Sequence, residues 1–327
     1  MKVKIIFLLL FALLVSCQKS TEHKYSFYYW KSHFKLDESE KKALQKASLD
    51  TLYIRFFDID KEQQKVEILA PISGNAHLLD AKKQFVPTVF ITNRTFFNIS
   101  KEEIAQIAQA TFDNILRIQK SLGLKERAFT EIQIDCDWTE TTREDFFLFL
   151  KELKKVSSKK VSSTLRLHQV KDKKKMGIPP VDKVYLMCYS TSSPLDNDGK
   201  NSILEVGLLK NYLASLDQYP IKNIDVALPI YSWGIVTNHV GKHKLINALN
   251  ISDLSNNKFK KISDTEAVIL EDGFYFGYFL NKGFTIRVEE ISEKQLTEVK
   301  TFLDHKLKHY HIIYYHLDSQ FIKNRKL

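Results

Sequence analysis

An alternation constrains this chain more than any other feature. A short β-branched or aromatic run is followed by a longer stretch with helical spacing, and the unit recurs until eight runs have been counted. The runs cover 25–30, 51–57, 86–92, 131–137, 161–167, 184–189, 223–229 and 311–317. Between them, helical periodicity covers 37–47, 101–122, 143–156, 203–216 and 292–308. In 101–122, Ile104, Ile107, Ala108, Phe112, Ile115 and Ile118 recur at spacings of three and four, and Ser100 stands ready to cap the helix. Eight strands alternating with helices over some 290 residues predict a (β/α)8 TIM barrel occupying 25–327. An open doubly wound sheet with an appended β-domain is the competing architecture.

Two connections depart from the rhythm. The stretch 59–85 contains Val66-Glu67-Ile68-Leu69, which reads as strand rather than helix. The long stretch 235–290 holds several short strand-like runs and predicts a β-rich insertion between strands 7 and 8. Met176-Gly177-Ile178-Pro179-Pro180 is too interrupted to carry a full helix.

The first residues set a destination. Lys2 and Lys4 precede an apolar run from Ile5 to Val15, then Ser16-Cys17. That is the pattern of a secretory signal, and the run falls short of the roughly 20 residues needed to span a bilayer. Leu14-Val15-Ser16-Cys17 resembles the lipobox of bacterial lipoproteins. The resemblance implies a signal peptide over 1–17, lipidation of Cys17 and a polar tether over 18–24. It further implies a mature domain held to a membrane of the cell envelope, outside the cytoplasm, with the membrane as partner through acylated Cys17. Cys136 and Cys188 remain, and spacing alone leaves their pairing open.

The stretch Glu131-Ile132-Gln133-Ile134-Asp135-Cys136-Asp137-Trp138 carries the chemistry. Alternation puts Ile132, Ile134 and Cys136 toward the helices, and Gln133, Asp135 and Asp137 into the barrel. Carboxylates at i and i+2 lie roughly 6.6 Å apart along a strand. At the C-terminal end of a barrel strand, where active sites gather, such a pair couples its protons and suits general acid/base work on a glycosidic or acyl bond. Trp30, Trp138 and Trp233 each follow a strand end and can offer flat platforms to the C–H faces of a sugar, with Tyr29, Tyr189 and Tyr231 near the same rim. Arg55, Arg166 and His168 sit on or just past the second and fifth strands. Asp58, Asn93, Arg94, His316 and Asp318 sit at strand ends as well.

This strand resembles the fourth strand of the chitinase-like family 18 glycoside hydrolases, D-x-x-D-x-D-x-E. In that family the final Glu protonates the leaving oxygen and the preceding Asp orients the substrate's N-acetyl group. Two registers are open. With Asp135 and Asp137 in the last two Asp positions, Thr139 stands where the acid belongs; with Asp137 in the Glu position, Asp135 orients and Gln133 replaces an Asp. Met187-Cys188-Tyr189 resembles the family's M-x-Y, and Leu228-Pro229-Ile230-Tyr231 its G-x-P-x-Y.

The resemblance implies Asp135 and Asp137 as catalytic residues. Trp30, Arg55, Asn93, Trp138, Arg166, His168, Tyr189, Tyr231 and Trp233 are the candidates for holding a glycan. The expected function is hydrolysis or binding of a glycan, the alternative being a non-catalytic glycan-binding or scaffold lipoprotein without the acid. No cofactor is expected. His239 and His243 are four apart with no evident carboxylate ligand, so no metal is expected either. A net charge of +10 dispersed along the chain does not indicate nucleic acid. The oligomeric state is open.

Overall fold

The computed structural model describes residues 22–325 except 64, 78, 81, 196–198 and 324. The proposed signal peptide, lipobox and Cys17 lie outside the described residues, as does most of the tether.

Eight parallel strands form the barrel: β1 (Tyr25–Tyr29), β2 (Thr51–Glu62), β3 (Gln84–Ile91), β4 (Glu131–Asp135), β5 (Lys160–Arg166), β6 (Val184–Met187), β7 (Ile224–Pro229) and β8 (Ile312–Tyr315). Each pairs with its neighbours in chain order, and β1 pairs with both β8 and β2, which closes the sheet. Closure rules out the open sheet.

Helices on the outside follow the expected apolar faces. α1 (Glu38–Lys46) begins at a capping box between Asp37 and Glu40. α2 (Lys101–Ser121) begins at the matching box of Ser100 and Glu103. α3 (Arg143–Ser157) turns Phe146, Phe149, Leu150 and Leu153 inward. After β5 the chain forms only α4 (Leu167–Lys171) and one further helical turn, as the glycine and prolines around 177–180 require. α5 (Val206–Tyr212) is much shorter than the expected 203–216, because Glu205 caps it and the preceding Ser202 is engaged elsewhere. α6 (Glu293–Asp304) stops short of the expected 308.

The two irregular connections are β-structure. Lys65–Leu69 folds back antiparallel on β2, and among the described residues no helix separates β2 from β3. Between β7 and α6, a five-stranded antiparallel sheet runs from Trp233–Thr237 to Thr285–Glu289. Ile246, Ala267, Ile286 and Val288 give it a core of its own.

One buried carboxylate joins the two ends of the chain. Glu40 is only 1% exposed at its side chain and pairs with Lys31. It also accepts the Asp37 amide at 3.1 Å and the Ser319 amide at 3.0 Å, fastening α1 to the helical turn Ser319–Ile322 after β8. Glu40→Ala strands those donors and should lower the unfolding free energy by roughly 2–4 kcal/mol in denaturant melts.

Candidate functional site

The C-terminal ends of the strands surround a cleft of about 920 Å³, in the range of small-molecule sites. Its floor is built by β4 and β5, whose inward residues pair rung by rung. At the bottom, Ser162 donates to Glu131 at 2.6 Å and Tyr185 donates to the same carboxylate at 2.7 Å. In the middle, Thr88 donates to the Gln133 side-chain Oε1 at 3.1 Å, and Thr164 donates to Asp135 at 2.8 Å. At the top, Arg166 approaches Asp137 at 3.4 Å. Asp135 and Asp137 both reach the cleft. Burial, reinforced by the charge of Asp137, raises the Asp135 carboxyl to about 7, so near neutral pH it keeps its proton much of the time.

A second charged pair lies across the cleft. Arg55 and Asp58 on β2 are three apart, which in a regular strand would point them to opposite faces. A bulge at Phe56 shifts the register and turns both to the same side. Arg55 then holds Asp58 through two guanidinium nitrogens, one at 2.8 Å.

Aromatic rings form the remaining wall. Tyr315 stacks on Tyr189 with centroids 5.3 Å apart and touches Trp30 at 5.5 Å and Tyr231 at 5.7 Å. Tyr231 in turn meets Trp233 at 5.2 Å. Trp30 and Trp233 are partly exposed and Tyr231 is buried, its phenol pushed up to about 12 by that burial. Trp233 opens the inserted sheet, and its indole donates to Glu289 at 2.9 Å. Glu289 is buried, takes the Ser202 amide at 3.0 Å and is paired with Arg287. Asn247 and Ala248 bring the insertion to the cleft edge.

Of the residues expected from the sequence, Asp135, Asp137, Trp30, Arg55, Arg166, Tyr189, Tyr231 and Trp233 line this cleft. Four others do not line it. Trp138 is fully buried against Phe146 and Phe147 and donates to the Met176 carbonyl at 2.8 Å, so it is core and offers no platform. Asn93 begins a 3-10 turn and accepts from Thr142, away from the cleft. His168 is carried off the strand line where α4 begins at Leu167, and burial lowers its pKa. Tyr29 faces outward, its hydroxyl donating to the His33 carbonyl at 2.7 Å. Cys136 and Cys188 are both free and buried.

The sequence reading missed Tyr315, Glu289 and Gln169. Gln169 accepts the Arg166 amide at 2.8 Å and donates to the Trp138 carbonyl at 3.0 Å, tying the ends of β4 and β5 together. Thr139 does not line the cleft; Thr142 accepts its amide hydrogen at 3.0 Å ahead of α3. Among the described residues, no group of three or more His, Cys, Asp or Glu side chains is arranged to hold a metal ion.

No protein-family model matches the sequence, and no curated protein matches it. Solved structures do match the fold. A chitinase from Chromobacterium violaceum superimposes with a TM-score of 0.55 at 12% identity, over 92% of this chain and 96% of that one. The spore cortex-lytic enzyme SleL of Bacillus cereus gives 0.51 at 18% identity, over 90% and 71%. A mutant class V chitinase from Nicotiana tobaccum, in complex with NAG4, gives 0.52 at 12% identity, over 90% and 94%. The closed barrel therefore shares its fold with these proteins.

The raised pKa of Asp135 has a thermodynamic sign. An unfolded Asp titrates near 3.9, whereas this one titrates near 7. Between those values the unfolded chain loses its proton while the folded one keeps it, so the residue increasingly disfavours folding as pH rises, and the penalty levels off above 7. Asp135→Asn should therefore raise the melting temperature by several degrees at pH 8, with the gain shrinking toward zero near pH 4. A gain that grew as pH fell would contradict the assignment.

Proposed function

We propose that the cleft binds a glycan bearing N-acetylated sugars, and that the protein works as a glycan-binding lipoprotein of the cell envelope rather than a fast hydrolase. One observation carries this reading: the carboxylates and rings that would receive a sugar line the cleft, whereas Thr139 lies outside it. In the register that places Asp135 and Asp137 at the last two Asp positions of the resembled motif, Thr139 replaces the proton donor. Asp137, facing Arg166, is suited to accept hydrogen bonds from the ligand. The rings of Trp30, Tyr231 and Trp233 suit the C–H faces of successive sugar units. The NAG4 complex of a protein with the same fold supports an oligosaccharide as the ligand class.

Hydrolysis is the second reading, and a specific observation favours it. Near neutral pH Asp135 keeps its proton much of the time beside a second carboxyl, as acid/base chemistry on a glycosidic bond requires. In that version Asp137 donates the proton and Asp135 orients the acetamido group.

A panel of labelled glycans, N-acetylated oligomers and peptidoglycan fragments included, separates the two when thermal shift and product release are read together. The expected result is a melting shift without product, weakened at least tenfold in affinity by Trp233→Ala. Product that disappears with Asp137→Asn would establish hydrolysis. Neither shift nor product would sink both readings.

The membrane anchor rests on Lys2, Lys4, the apolar run and Ser16-Cys17. No helix among the described residues is long and apolar enough to cross a membrane. In the producing bacterium, a clickable palmitate analogue should label the protein, and Cys17→Ala should abolish the label.

A further inference from the structure

The cleft opens at one end of the barrel; the chain enters at the other. His23, only six residues after Cys17, stacks on Tyr310 with centroids 4.2 Å apart and pairs with Asp304 at 2.8 Å. His23 is thus pinned to the end of α6 and to the segment joining α6 to β8. That same segment supplies Lys306, Leu307, Lys308 and His309 to a second cavity of about 580 Å³ at the N-terminal end of the barrel, completed by Leu216, Asp217, Ile221, Lys222 and Ile224. Its floor is aliphatic, and its rim carries three lysines around a single carboxylate, Asp217. Lys306 is committed to Asp217 at 3.2 Å, and Lys222 reaches only the Asp217 carbonyl, at 2.9 Å. Lys24, Lys222 and Lys308 are exposed and enter no ion pair among the described residues.

We propose that this end of the barrel, centred on Lys24, Lys222 and Lys308, docks on the anionic phospholipid headgroups of the membrane that holds the protein, so that the cleft faces away from the bilayer. The proposal rests on the lipid-anchor reading for the direction of the tether. Six residues reach at most about 20 Å, so an acylated Cys17 keeps His23, and the lysines beside it, within that distance of the headgroups. Confinement at such range makes a modest charge attraction effective, because docking becomes an intramolecular event. The aliphatic floor adds room for the glycerol end of a lipid.

A rival surface exists on the insertion. Phe274 and Phe279 meet edge to face on the hairpin of Gly273–Tyr275 and Tyr278–Leu280, and Phe274 is 80% exposed. Nothing ties that hairpin to the tether, and it belongs to the cleft end of the molecule.

The test uses the chain from Cys17 onward, which keeps every described residue. It is coupled through the Cys17 thiol to a maleimide lipid in vesicles; the other two cysteines are buried. Lysine acetylation by a membrane-impermeant reagent is then read by mass spectrometry. On vesicles with about 30% phosphatidylglycerol, Lys222 and Lys308 should react at least fivefold more slowly than on pure phosphatidylcholine, with Lys260 and Lys261 of the insertion unchanged. Lys222→Glu combined with Lys308→Glu should restore the reactivity of Lys24. Equal reactivity on both vesicles, or protection of the insertion lysines instead, overturns the proposal. Because the coupling is synthetic, the outcome does not depend on natural acylation, which the palmitate label tests separately.

Discussion

The site depends on how a barrel interior can hold a column of polar groups. Inward residues of β4 carry Glu131, Gln133, Asp135 and Asp137 up the axis, and any of them unpaired would be costly. The neighbouring strand answers at the same spacing: Ser162 serves Glu131, Thr164 serves Asp135, and Arg166 serves Asp137. In-register parallel pairing, with Gln133 opposite Ser162, makes the match possible. Only the topmost partner is a cation. The charge at the mouth is thereby compensated, whereas the carboxyl one rung below has a neutral hydroxyl and a buried setting, and its pKa rises accordingly.

The aromatic side of the cleft depends on groups outside the barrel. Trp233 is oriented through its indole N–H by Glu289, and Glu289 is held by Ser202 from the β6–α5 connection and by Arg287 of its own strand. Two separate segments therefore fix one ring. A platform locked in this way binds a sugar face without first being ordered, which limits the entropy lost on binding. It also couples the insertion to the barrel mouth, so the inserted sheet takes part in shaping the cleft.

Much of this was legible. The eight runs, the helical faces and the β-rich insertion follow from periodicity, because period two and period 3.6 leave distinct marks on apolar residues. Parity also placed Asp135 and Asp137 inside. It would have placed Trp138 correctly too: it shares even numbering with Ile132, Ile134 and Cys136, and it packs on the helix side with them. The platform reading gave weight to nearness to the rim where parity gave the face. Tyr29 failed for the same reason. The bulge at Phe56 was not legible, since an extra residue in a strand leaves no periodic mark, and the Arg55–Asp58 pair depends on it. Glu289 lay beyond reach because its partners are 56 and 87 residues away.

The balance between binding and hydrolysis turns on what a cleft needs besides carboxylates. A glycosidic oxygen must be protonated from a group that reaches it, so a neutral acid helps only if it lies near the scissile bond. Here the carboxyl with the raised pKa is the deeper of the two, fastened by Thr164, while the carboxylate at the mouth faces a guanidinium. Proton and position are thus divided between different residues. Such a division suits recognition, because a neutral Asp135 can donate a hydrogen bond and the Asp137 oxygens can accept one, giving an amide two complementary partners at the end of β4. It suits catalysis only if a bound sugar displaces Arg166 and lets the proton move outward. The role of the cleft therefore hinges on the Arg166–Asp137 contact more than on either carboxylate alone.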